Sequence, residues 1–244
     1  MGPCRCAATD RTITSNQPLI KMESAKPDAI FIAGGTGYIG KRLVETLIRK
    51  GYTVIVMTRK ESLSKVPAGA TAVIADPFDA QSIQKILPAG AVFIQLLGVP
   101  HPSPRKAALF EKIDLKSVSA SAEAAAAVGV SHFIYVSVSM TPSSLMAAYQ
   151  AVRAKGEALI QHKKLNATML RPWYVIGPGH YWPLLLLPLY GIAELIPSWR
   201  RKTRAMAFVT IRQMVTALAN AVSSTPDGIR ILEIQDIRKA GRKN

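Results

Sequence analysis

Three glycines at intervals of three, Gly34, Gly37 and Gly40, stand between the apolar run Ala29-Ile30-Phe31-Ile32-Ala33 and a helix-forming stretch that opens at Tyr38. A turn of this kind lets the chain bend tightly, lets its backbone approach a pyrophosphate and lets the helix pack closely on the strand. The helix would aim unpaired N–H groups and the positive end of its dipole at the diphosphate. Gly34, Thr36, Gly37, Tyr38, Ile39 and Gly40 are therefore the candidate residues for cradling a dinucleotide. The bland alternative is a turn that only packs a helix against a strand. About twenty residues onward, a site for NAD would place Asp or Glu where it can accept hydrogen bonds from the ribose 2′-hydroxyl. This chain offers Thr58, Arg59 and Lys60, followed by Glu61. A planar guanidinium with a neighbouring ammonium suits a 2′-phosphate, so the residues predict NADP(H) in preference to NAD(H), against the alternative of two solvated loop cations.

These residues need a frame. Short runs rich in Val, Ile and Phe at 29–33, 53–58, 71–75, 91–96, 132–138 and 167–170 read as parallel strands buried on both faces. Helical patterns at 38–50, 80–87, 105–128 and 145–162 separate them, and a helix over 210–223 and a strand over 229–234 close the unit before a basic tail from Arg238. The alternation predicts an α/β fold, a doubly wound parallel sheet of Rossmann type with a small C-terminal substrate lobe. Residues 27–180 would form the NAD(P)-binding core and 181–244 the small lobe with the closing helix and strand.

Composition limits the rest. The 244 residues include 31 Lys and Arg against 15 Asp and Glu, a net charge of +16 that attracts phosphates, anionic lipid or nucleic acid without discriminating among them. Cys4 and Cys6 are too few for a disulfide framework or a four-ligand zinc site, so no metal is expected and a reducing cytoplasm fits best. Residues 1–26 lack an apolar stretch of signal-peptide length and read as a disordered tail, with a transit peptide as the alternative and Met22 as a second possible start.

After Pro172 the character changes. Pro172, Pro178, Pro183, Pro188 and Pro197 punctuate a segment that holds all three tryptophans. The Leu-rich stretch 181–190 is too short and too interrupted for a membrane span, which leaves a hydrophobic substrate wall, a segment lying on a membrane surface, or core packing. Trp199 with Arg200, Arg201, Lys202 and Arg204 is suited to anionic headgroups or a substrate phosphate, or is a solvated cluster. No helix-turn-helix or RNA-recognition signature accompanies it, so nucleic acid is not an expected partner. His180, directly after Gly177-Pro178-Gly179, is either substrate-facing or structural. The expected partner is an apolar small molecule, with peripheral membrane contact as a further possibility and the oligomeric state left open.

AGGTGYIG at the first turn, Asp76 after the third strand, FIYVSVS at the fifth, Tyr149 followed by GEALI, and LRPWYVIGPG after the sixth together resemble the atypical and extended short-chain dehydrogenase/reductases, including the epimerase-like NAD(P)-binding proteins. The likeness runs from about residue 29 to 234. It implies that Asp76 contacts the adenine and that Leu97 and Gly98 line the ribose side. It also implies that the stretch after Arg171-Pro172 packs near the nicotinamide. By the same resemblance Ser139 polarises the substrate oxygen and Tyr149 transfers the proton. Four residues after Tyr149 the family's lysine is replaced by Arg153, while Lys155 lies two residues too far along. Residues four apart share a helix face, so Arg153 is expected to orient ribose and to lower the Tyr149 pKa by about one to three units. Ser137 and Ser139 are otherwise strand-end hydroxyls, Tyr149 a packed helix residue and Arg153 a surface cation. Three functions stay open: a carbonyl or alcohol oxidoreductase on an apolar substrate, a non-catalytic NADP(H)-binding sensor or accessory protein, and a nucleotide-sugar epimerase or dehydratase.

Overall fold

The computed structural model describes residues 27–181 and 208–241. The expected tail at 1–26, most of the Leu-rich stretch and the cluster from Trp199 to Arg204 lie outside the described residues. In chain order the elements are β1 (Ile30–Ala33), α1 (Tyr38–Arg49), β2 (Val54–Thr58), β3 (Thr71–Ile74), α2 (Ala80–Gln84), β4 (Val92–Gln95), α3 (Ala107–Leu109), α4 (Lys116–Val128) and β5 (His132–Val136). There follow α5 (Ala147–His162), β6 (Ala167–Leu170), β7 (Tyr174–Ile176), β8 (Phe208–Thr210), α6 (Ile211–Val222), β9 (Ile229–Leu232) and α7 (Ile234–Ala240).

Seven strands form one parallel sheet in the order β3-β2-β1-β4-β5-β6-β9. Alternate side chains of the central strands feed two cores. Ile30, Ile32, Val56 and Ile94 meet the apolar faces of α1 and α6, while Phe31, Phe93 and Phe133 lie in the core on the other face together with Val118 and Ala122 of α4. In α1, Leu43, Val44 and Leu47 are buried along one stripe and Gly40 lets the helix approach the turn. Thr210 caps α6 through a reciprocal pair with Gln213, its Oγ1 accepting from the Gln213 N–H at 3.2 Å.

The chain runs outward from β1 through β2 to β3 and returns on the other side at β4. The carboxyl ends of β1 and β4 therefore flank a topological switch point, where ligands bind in open α/β sheets.

Several sequence expectations are corrected. β3 is an edge strand with three of its four residues exposed, and β9 alternates exposed and half-buried residues, so burial on both faces holds only for the inner strands. The expected helix over 105–128 is broken into a 3₁₀ turn at Pro104–Lys106, α3, a π-helical turn over Phe110–Leu115 and α4. The wide turn carries two buried residues, Phe110 and Asp114. The first residues of the expected basic tail, Arg238 to Ala240, instead end the helix α7, which buries Ile234 and Ile237 one turn apart. A small parallel pair, β7 with β8, has no counterpart in the sequence reading because each strand has only three residues.

Candidate functional site

The glycine turn closes because side chains are absent from it. Gly34 has φ +87°, and a Cβ there would sit 2.9 Å from the backbone of Leu96 and Leu97. A Cβ on Gly40 would run into the Gly34 carbonyl and the Gly35 backbone. The first turn of α1 contains no acidic residue and its N-cap, Gly37, supplies no side-chain hydrogen bond, so the helix's opening N–H groups have no competing side-chain acceptor at the cap. This is a backbone cradle of the kind a dinucleotide diphosphate requires.

In front of the cradle lies a cavity of about 530 Å³. Its walls come from the glycine turn (Gly34, Gly37, Tyr38, Ile39, Gly40), the loop after β4 (Leu96, Gly98, Val99 and on to Ser103), the end of β5 (Val136, Ser137, Val138), α5 (Tyr149, Arg153) and the segment after β6 (Pro172 to Val175, with His180). Most of the lining is apolar or aromatic. No lining residue is a carboxylate among the described residues.

The sequence-derived residues divide between this cavity and its surroundings. Gly34, Gly37, Tyr38, Ile39, Gly40, Gly98, Tyr149 and Arg153 line it. Thr36 and Leu97 stand beside lining residues without being among them. Arg59, Lys60 and Asp76 follow β2 and β3 on the edge of the sheet that carries the glycine turn, all exposed. The Asp76 carboxylate accepts the Phe78 N–H at 2.9 Å. Ser139 is buried outside the lining, its Oγ 3.1 Å from the Thr141 hydroxyl. Of the two, Ser137 is the one that lines the cavity, 3 % exposed, with no hydrogen-bond partner for its Oγ among the described residues. Strand alternation could not separate the two, because β5 ends at Val136 and both serines lie in irregular backbone.

Arg153 is the largest departure from expectation. Its guanidinium donates to Asp114 Oδ1 at 2.6 Å, to the Val136 carbonyl at 3.0 Å and to the Tyr135 hydroxyl at 3.2 Å. Asp114 in turn accepts the Val99 N–H at 3.1 Å, and Gly98 lies so close to the pair that a Cβ would overlap Arg153 and Asp114. The ion pair therefore fastens the loop after β4 to α5. Asp114 went unnoticed in the sequence because its helix pattern looks continuous; only the π-helical turn rotates it inward. Burial pushes the Asp114 carboxyl above its ordinary value against the opposing pull of Arg153.

Tyr149 packs edge-on against Phe110, ring centroids 5.0 Å apart, with the Arg153 guanidinium 5.0 Å from its ring centre. Burial raises the Tyr149 pKa, and the nearby Arg153 only moderates the rise. The expected lowering is thus reversed: desolvation of a phenolate outweighs a cation already neutralised by Asp114.

The cavity fits a dinucleotide in the respects the structure can test. The cradle admits no Cβ at Gly34 or Gly40, no carboxylate lines the cavity among the described residues, and buried hydroxyls of Ser137 and Tyr38 lack partners among them. Among those residues there is no cluster of metal-ligating side chains and no helix long and apolar enough to cross a membrane.

Comparison with known proteins agrees. The model of a family described as NAD(P)H-binding matches residues 34–177. A ceramide reductase of Caulobacter vibrioides is 25% identical over 214 residues, covering 87% of this chain and 66% of that protein. The mitochondrial 40 kDa subunit of the Neurospora crassa NADH-ubiquinone oxidoreductase is 28% identical over 184 residues, covering 71% of this chain and 48% of that protein. The chain thus spans no more than about two thirds of the first and half of the second. Among solved structures, the Thermus thermophilus UDP-glucose 4-epimerase in complex with NAD superposes with a TM-score of 0.62 at 19% identity, covering 88% of this chain and 81% of that one. MoeE5 in complex with UDP-glucose and NAD gives 0.65 at 18% identity, covering 84% and 75%. With a family match that runs from the first glycine of the turn to the end of β7, this protein belongs to the NAD(P)H-binding family and has the fold of the epimerase-like short-chain dehydrogenase/reductases.

Proposed function

We propose that the chain is an NADP(H)-dependent reductase of a carbonyl group on an apolar substrate. The observation that carries this reading is the single cavity wall that runs from the glycine cradle to Ser137 and Tyr149, is mostly apolar or aromatic and contains no carboxylate among the described residues. Gly34, Thr36, Gly37 and Gly40 with the first turn of α1 hold the diphosphate, and Arg59 with Lys60 holds the 2′-phosphate. Asp76 faces the adenine side, and Leu97 and Gly98 the ribose. The bound nicotinamide supplies hydride. Ser137 donates a hydrogen bond to the substrate oxygen, the part expected of Ser139, and Tyr149 gives that oxygen its proton. The environment of Tyr149 suits the reductive half of such a reaction. A phenol kept neutral by burial still gives a proton to an alkoxide, which is far more basic. It is poorly placed to begin an oxidation as tyrosinate. Arg153 acts by fixing Asp114 and the loop after β4. The likeness to a ceramide reductase supports an apolar substrate.

A second reading, NADP(H) binding without turnover, is favoured by the engagement of Arg153 with Asp114, which occupies the cation that would otherwise assist Tyr149. The likeness to a respiratory-complex subunit is in keeping with it. An epimerase or dehydratase on a nucleotide sugar has only the shared fold behind it.

Titration with NADPH and NADH, followed by tryptophan fluorescence in the intact chain and in Arg59→Ala, tests the cofactor. The expected result is an NADPH preference that falls about tenfold or more in the variant while NADH binding is unchanged, since a hydrogen bond between charged groups contributes about 1.5–3 kcal/mol. Equal affinity for both nucleotides in the intact chain defeats the NADP assignment. NADPH oxidation with an apolar ketone or aldehyde that disappears in Tyr149→Phe supports the reductase; binding without Tyr149-dependent turnover supports the second reading.

A further inference from the structure

At the mouth of the cavity two loops meet over the first residue of α1. The His180 ring lies 4.0 Å, centroid to centroid, from Tyr38 and stacks on His101 at 4.8 Å with the planes 14° apart. Each loop is built to hold its ring there. His180 closes a turn by donating its N–H to the Gly177 carbonyl at 2.8 Å, with Gly179 at φ +84°. His101 adopts φ +50°, a left-handed conformation that a non-glycine residue reaches at a cost, and Lys106 Nζ ties the loop by donating to the carbonyls of Pro100 and His101 at 2.6 and 3.1 Å.

The charges around these rings are of one sign. Arg42 lies 4.5 Å over the Tyr38 ring and donates to the Tyr38 carbonyl. Lys106 stands behind His101, and among the described residues the other titratable neighbours are the phenols Tyr38 and Tyr181. No described carboxylate lines this cavity. Burial, His101 and Arg42 hold His180 below its ordinary pKa. The rings thus lie in a positive field at the end of a helix that itself attracts anions, and an anion is the missing partner.

We propose that His101 and His180 form a clasp on the anionic bridge of the dinucleotide, in which His180 takes up a proton as the ligand enters over the first turn of α1. The proposal rests on the dinucleotide reading above. It adds a binding group outside the glycine turn, and it makes cofactor affinity rise as pH falls.

The test is calorimetric titration of the intact chain with NAD⁺ and NADP⁺ between pH 5.5 and 8, each in two buffers of different ionisation heat. NAD⁺ has no group titrating in this range, so proton uptake seen with it belongs to the protein. The clasp predicts net uptake within this pH range with both nucleotides, and affinity about tenfold tighter at the acid end for a rise of one unit at His180. In the double variant His101→Gln, His180→Gln the profile flattens while affinity at pH 8 stays within about threefold of the intact chain. Binding without proton uptake overturns the clasp and leaves the dinucleotide reading standing. Uptake that persists in the double variant also overturns it. Absence of binding by the intact chain at every pH overturns both.

Discussion

The two halves of the sheet treat their polar groups in opposite ways. On the β1–β2 side, the glycine turn offers N–H groups with no side-chain cap, and the exposed Arg59 and Lys60 make no ion pair among the described residues. On the β5–β6–β9 side the charges answer one another. Arg153 is held by Asp114, Arg171 by Glu157 at 2.6 Å and Glu233 at 3.0 Å, and His132 by Thr168 at 2.8 Å. One half is prepared for a guest, while the other is largely complete without one. The contrast explains why the chain reads so clearly as a binding protein and less clearly as a catalyst: its expected catalytic cation belongs to the completed half.

The comparison can be attacked from either side. The largest effect is expected for Arg153→Met, which strands the buried Asp114 carboxyl. It should cost about 4 kcal/mol in chemical denaturation, and adding Asp114→Leu should restore much of that. A loss under about 1 kcal/mol would mean that the pair is not a structural anchor. On the other side, Gly40→Ala pushes a methyl into the Gly34 carbonyl, with an expected cost of about 3 kcal/mol and loss of nucleotide binding even in the protein that stays folded. Unimpaired binding there would remove the cradle from the site.

The smallest effect comes from acid. Arg230 donates to Thr168 Oγ1 from both Nε and Nη2, which leaves the threonine proton for His132 Nε2, so the ring is held neutral. Burial, with Arg230 nearby, brings the His132 pKa down from 6.5 to about 4. In the unfolded chain the ring gains its proton near pH 6.5. Stability from this group is therefore complete above that value and declines as pH falls toward 4, by about 3 kcal/mol. His132→Gln should flatten that part of the stability profile.

Much of the frame was legible because parallel strands such as IFIA and VFIQ are mostly apolar and buried throughout and the glycine spacing is local. The positions of Arg59 and Lys60, exposed at the end of β2, follow from the same local spacing. Asp114 was not, since a π-helical turn changes which residues face inward without changing their types. Nor was Ser137, because choosing between it and Ser139 requires the path of the chain beyond β5. The protonation of Tyr149 was misjudged because the spacing to Arg153 says nothing about where that guanidinium is already engaged.

The pairing of β7 with β8 has a bearing on how such a protein can change. Tyr174 lies opposite Phe208, so the chain departs from the cavity's border and comes back to the place it left. Lengthening a connection between fixed ends costs only about 0.6 kcal/mol for each doubling. The β7–β8 pair therefore fixes both ends of one long connection, so that a change in its length lays little strain on the seven-stranded sheet.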